Sequence, residues 1–261
     1  MNNKQMHGHE VNELIADKLA TLSGSDKPDV KTGDDNGPVK DDAYFTNLWL
    51  KQKNGGMLQR ESAYNEQNIL NNKFNQIEAP DEQTRVIATQ VKRISERYKQ
   101  GNKFNCVFSG MPGTGKTFLA TCLLNDVNEN ASKPLACLFV SAPLLQELAL
   151  ARVRGKDWQQ VEEMNHLEKS IRSADLMVLD DLGSETSMQV NNIKTANETT
   201  QKILFTASDS RQGKSTIITT NYTSAELQMM YNPKIISRLM TNKPEHIINF
   251  AGIADRRISQ N

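Results

Sequence analysis

The chain has 261 residues, room for one large domain or one medium domain with an appendage. Lys+Arg and Asp+Glu balance at 31 each, so no global charge draws it to nucleic acid or membrane, and any such surface must be local. No stretch reaches the roughly 18 apolar residues that span a bilayer, and "MNNKQMHGHEVNE" lacks the apolar segment of a secretory signal.

The first quarter is predicted to be a small, helical, partly disordered region. Residues 11–22, "VNELIADKLATL", set Val11, Leu14, Ile15, Leu19 and Leu22 on one helical stripe. Residues 23–42 are rich in Gly, Pro, Ser and charge and read as a flexible linker. "YFTNLWLKQ" then brings Tyr44, Phe45, Leu48, Trp49 and Leu50 together, and residues 58–73 offer helix formers with little apolar face. Residues 1–73 cannot bury a core of their own, and a solitary amphipathic helix on a leash calls for a partner surface.

From about residue 85 helices and strands alternate. "TRVIATQVKRISERY" is helical, with Val86, Ile87, Val91, Ile94 and Tyr98 on one side. "KFNCVFSG", "PLACLFVSA", "LMVLD", "STIITTN" and "HIINF" read as strands, separated by helices near 116–127, 142–153, 158–173 and 196–211. Such alternation predicts an α/β domain over residues 74–261, a parallel sheet flanked by helices with ligands beyond the carboxyl ends of its strands. Cys106, Cys122 and Cys137 show no metal spacing and read as buried free thiols of a reducing, cytoplasmic compartment.

"GMPGTGKT", residues 110–117, fits G-x-x-x-x-G-K-[ST] between an apolar strand and a helix. Gly110, Gly113 and Gly115 let the backbone around Met111, Pro112 and Thr114 curl so that its N–H groups face phosphate oxygens. The helix beginning near Lys116 adds its positive end. Lys116 supplies a charge to the β- and γ-phosphates, and the Thr117 hydroxyl is placed to ligate Mg2+. The chain lacks the N-K-x-D-like base reader of a GTPase.

"LMVLDDLGSE", residues 176–185, runs an apolar strand into two acids. Asp180 is the candidate metal acid, and Asp181 beside it would face the attacking water, one methylene shorter than the usual Glu. Asn221, at the end of "STIITTN", can hold that water or sense the γ-phosphate if its strand lies between the loop strand and the acid strand.

"SGMPGTGKT", "LMVLDDLGSE", "TIITTNY", "IISRLM" and "GIADRR" follow one another as in the DnaC-type AAA+ helicase loaders and the related transposition helper ATPases. The resemblance covers about residues 74–261. It implies a P-loop NTPase AAA+ core with Gly110 to Thr117 as Walker A, Asp180 and Asp181 as Walker B, and Asn221 as sensor 1. It also makes Arg238 the arginine finger, which acts on a neighbouring subunit's γ-phosphate and so implies self-association, and Arg256 sensor 2, with Arg257 the alternative. Glu185 falls outside these roles as a supporting residue. The large helical lid that many AAA+ proteins carry is not expected after Arg256.

The N-terminal layout is similar to that of the same loaders, whose early helices grip a hexameric replicative DNA helicase while the ATPase module engages single-stranded DNA. That implies partner contacts through Leu14, Ile15, Leu19, Leu22 and Trp49, with no zinc, since no cysteine precedes Cys106. "ARVRGKDW" sets Arg152, Arg154 and Lys156 beside Trp158, cations next to a stacking platform for DNA. The expected activity is a slow, partner-stimulated ATPase that loads the helicase. The alternatives are a transposition helper acting on duplex DNA and a nucleotide-gated protein adaptor with negligible hydrolysis.

Overall fold

A computed structural model describes residues 42–79, 81–186 and 193–255. The stripe at 11–22, the linker and both candidate sensor 2 arginines lie outside these residues. The apolar runs form five parallel strands, β1 (Cys106–Ser109), β2 (Cys137–Ser141), β3 (Leu176–Asp180), β4 (Ser215–Thr220) and β5 (Ile247–Asn249), in the order β2-β3-β4-β1-β5. Residues of β3 and β4 are buried throughout, which explains why "LMVL" and "TII" do not alternate: helices cover both faces. The order sets the Asn221 strand between the acid strand and the loop strand, as the chemistry requires.

On one face pack α3 (Glu82–Lys99) and α4 (Lys116–Asn130). Ile87, Val91, Ile94 and Tyr98 meet Leu123 and Val127 over Phe108, Phe139 and Val178. Asp81 caps α3 by accepting the Thr84 N–H at 2.7 Å. Val86, expected on this stripe, is 46% exposed. It lies about 100° around the helix from Ile87, and the buried side follows the four- and three-residue steps from 87 to 98. The opposite face is covered by α5 (Ala142–Arg154), α6 (Trp158–Ser173), α7 (Glu198–Ser210), α8 (Ser224–Met230) and α9 (Pro233–Leu239). Their Leu145, Ile171, Leu204 and Ile235 close over Leu138, Met177 and Ile218.

The boundary expected at residue 73 does not coincide with a break in packing. After α1 (Asp42–Gly55) and the short α2 (Met57–Glu61), the chain runs along the outer edge of β2. Ala63 donates its N–H to Phe139 O at 2.9 Å and accepts that of Ser141 at 2.8 Å, and the Ser62 hydroxyl accepts the Phe139 N–H. An otherwise open sheet edge is thereby covered. Met57, Leu58, Ile69 and Leu70 are buried in the same core clusters as the strands. Two buried pairs, Met57 and Leu58 on the one-turn α2 and Ile69 and Leu70 on a short 3-10 turn, carry no helical period across the segment.

Candidate functional site

Loop 110–115 leaves β1 and turns into α4. At Gly113, φ is +76°, a left-handed turn that glycine adopts without the strain a side chain would add. Lys116 is 6% exposed, and its ammonium donates to the Gly110 and Met111 carbonyls at 2.8 and 2.7 Å. The side chain therefore curls over its own loop, where a phosphate would compete for it.

The Asp180 carboxylate stands across from the start of α4. The Thr117 hydroxyl donates to its Oδ1 at 2.9 Å, and the Thr219 hydroxyl, from β4, donates to the same oxygen at 2.6 Å. Burial pushes the Asp180 carboxyl up to about 6, against the pull of the two hydroxyls and of Lys116. Asp181 takes a left-handed conformation, φ +59°, with its N–H on the Thr219 hydroxyl at 2.8 Å. Asn221 Nδ2 donates to Asp181 Oδ1 at 3.0 Å. These groups border a cavity of about 400 Å3 lined by Pro112, Gly113, Lys116, Asp180, Asp181 and Asn221.

The donor set fits Mg2+ and a nucleoside triphosphate. Thr117 and Asp180 converge as a hard oxygen pair, the loop glycines and Lys116 face the same space, and a 15-residue helix begins at that point. Four contributors carry no signal in the sequence. Thr219 braces both acids, yet a threonine inside a strand looks like ordinary β propensity until the strand order is known. Glu66, Ile69 and Asn72 also line the cavity, and nothing in the polar 58–73 segment marks them.

Other candidates lie apart. Arg238, on α9, donates to the Lys234 carbonyl, pairs with Asp209 at 3.0 Å and stacks 4.8 Å over Phe205. The carbonyls of Arg238 and Leu239 accept from Asn105 at 2.7 and 3.0 Å, next to the start of β1, while the phosphate loop leaves its end. Arg238 thus stands by the amino end of β1, at the opposite end of the strands from its own cavity. Arg152 is committed to an ion pair with Glu168 at 2.9 Å across the α5–α6 hairpin, whereas Arg154 and Lys156 are exposed and Trp158, at the start of α6, is 77% exposed. Trp49 is 45% exposed on α1 with Lys53 Nζ 4.7 Å over its ring. All three cysteines are buried and unpaired, and among the described residues no helix is long and apolar enough to cross a membrane.

No curated protein matches the chain in sequence. Among solved structures, its fold is similar to DnaI (19% identity, 78% of this chain and 100% of that one, TM-score 0.55). It is also similar to the DnaC helicase loader (20% identity, 71% and 98% covered, TM-score 0.52). AMPPCP-bound DnaA from Aquifex aeolicus shares the fold as well (16% identity, 70% and 50% covered, TM-score 0.51). The family model of the ATPases associated with various cellular activities matches residues 106–255, which takes in the phosphate loop, both aspartates, Asn221 and Arg238. This span is more than half of the sequence, and the three strands that build the cavity all fall inside it: the chain belongs to the AAA family of ATPases.

Proposed function

We propose that the chain is an ATP-dependent helicase loader, which binds a hexameric replicative helicase and delivers it to single-stranded DNA in replication initiation. The observation that carries this reading is the shared architecture with DnaI and the DnaC helicase loader over nearly their whole lengths, around a cavity lined by the phosphate loop and both aspartates.

In this reading the loop N–H groups and Lys116 bind the β- and γ-phosphates, and Thr117 and Asp180 hold Mg2+. The bound ion supplies neutralisation of charge on the phosphate oxygens. Asp181, oriented by Asn221, receives a proton from the attacking water. Its short side chain and existing hydrogen bond to Asn221 make hydrolysis slow, which suits a protein that holds a ring and then lets go. Arg238 cannot serve its own cavity from the amino end of the strands, so it acts on the cavity of a neighbouring copy, and activity requires self-association. Arg154, Lys156 and Trp158 offer single-stranded DNA a phosphate and stacking contact on one exposed turn. Trp49 and the 11–22 stripe are the helicase contacts, and Arg256 or Arg257 completes the γ-phosphate site.

The test is co-purification of the full chain with a hexameric replicative helicase, with and without ATP. ATP-dependent capture that is lost when residues 1–40 are removed is the expected result. Absence of capture by the intact chain, or assembly on duplex DNA in preference to single strands, refutes the loader reading. Turnover with helicase and single-stranded DNA no greater than that of Lys116→Ala refutes the ATPase part.

A further inference from the structure

The turn after Asp180 is held on two sides. On the β4 side, Leu182 N–H donates to the Thr219 carbonyl at 2.9 Å, the Thr220 hydroxyl donates to the Leu182 carbonyl at 2.7 Å, and Asn221 holds Asp181. Gly183, with φ +106°, lies under the Tyr222 ring, which occupies the place a Cβ would take.

The other side depends on Glu185. One of its oxygens accepts the Gly183 N–H at 2.9 Å, and the other accepts the hydroxyl of Tyr231. Tyr231 is 2% exposed, in the joint between α8 and α9. The next residue, Asn232, caps α9 by accepting the Lys234 N–H at 2.9 Å, and α9 carries Arg238. A single carboxylate therefore bonds both to the turn that bears Asp181 and to the root of the Arg238 helix. Glu185 itself does not border the phosphate cavity. A non-glycine residue in a left-handed conformation persists only where its surroundings over-determine it, and Asp181 is such a residue.

We propose that Glu185 and Tyr231 form a latch that holds the Asp181 turn in its left-handed conformation, which makes both of them positioning residues for hydrolysis. The inference rests on the ATPase reading above, and its test includes a readout that does not. In Tyr231→Phe, turnover of ATP falls about tenfold or more, since small displacements of a catalytic group are costly. The nucleotide dissociation constant stays within about twofold, because a group outside the cavity contributes no uniform binding. Amide hydrogens of residues 181–184 exchange about tenfold faster, while those within β3 keep their protection. Glu185→Gln still accepts from Gly183 and can donate to the Tyr231 oxygen, so it keeps most of the turnover that Glu185→Ala loses. In an Asp181→Asn background the Tyr231→Phe change no longer alters the residual rate.

Unchanged exchange at 181–184 in folded Tyr231→Phe overturns the latch, as does unchanged turnover or a joint loss of turnover and nucleotide binding. Should wild-type turnover not exceed that of Lys116→Ala, the ATPase reading fails, and the exchange result alone decides whether the latch exists.

Discussion

Asp180 offers a stability test of the site that needs no nucleotide. The residue is 8% exposed, and burial raises its carboxyl from the ordinary 3.8 to about 6 despite two hydroxyl donors. A raised carboxyl favours the protonated form in the folded chain. Its contribution is therefore complete below pH 3.8, declines as pH rises, and is gone above about pH 6. At about 1.4 kcal/mol per pH unit, the ionised carboxylate burdens the folded state by about 3 kcal/mol at neutral pH. Asp180→Asn keeps an oxygen for Thr117 and Thr219 and cannot ionise. Without nucleotide the variant is expected to be more stable than wild type at pH 8 by about 1–3 kcal/mol. For a domain of this size that is a melting temperature higher by about 2–4 °C per kcal/mol. Thermal unfolding from pH 4 to 8 in chelator measures it, and the gain must shrink towards pH 4. The stabilisation that wild type gains from Mg–ATP should fall in the variant, because the ionised acid is the group that would hold the metal. A variant no more stable at pH 8, or equally more stable at every pH, would falsify the argument that burial of charge dominates at Asp180.

Three further outcomes are expected. Arg238→Ala should abolish helicase- or DNA-stimulated hydrolysis and leave nucleotide binding intact, since Arg238 stands away from its own cavity; lost binding in a titration with a fluorescent ATP analogue would contradict its assignment. Asn125 is 6% exposed and donates to the carbonyls of Leu70 and Asn72, each at 2.8 Å. Asn125→Ala should cost about 2 kcal/mol in chemical unfolding by leaving both carbonyls unpaired, and should weaken ATP binding because Ile69 and Asn72 border the cavity; unchanged affinity would detach that segment from the site. Trp158→Ala should weaken binding to a single-stranded oligonucleotide by about 1–3 kcal/mol, read by fluorescence anisotropy, with Arg154→Ala steepening the loss at low salt and Arg152→Ala acting mainly on stability through Glu168.

The phosphate loop, the acid pair and Asn221 were legible from sequence because each is a local event: an apolar run, a break at the strand end, and a polar residue held there. A parallel sheet covered on both faces leaves its strands as continuous apolar runs, so "CLFV", "LMVL" and "TII" were readable without knowing their neighbours. The glycine pattern of 110–115 is legible for a similar reason, since a backbone that presents N–H groups to phosphate constrains its own residues, whatever packs around it. What the tertiary structure decided is the pairing across those runs. It brought Thr219 under both aspartates, drew Ala63 along the open edge of β2, seated Ile69 and Asn72 beside the cavity, moved Arg238 to the amino end of the strands and joined Glu185 to Tyr231. Each of these contacts links residues far apart in the chain, through sheet order and turn direction. Composition and periodicity report which face of an element is buried, not which distant residue will cover it.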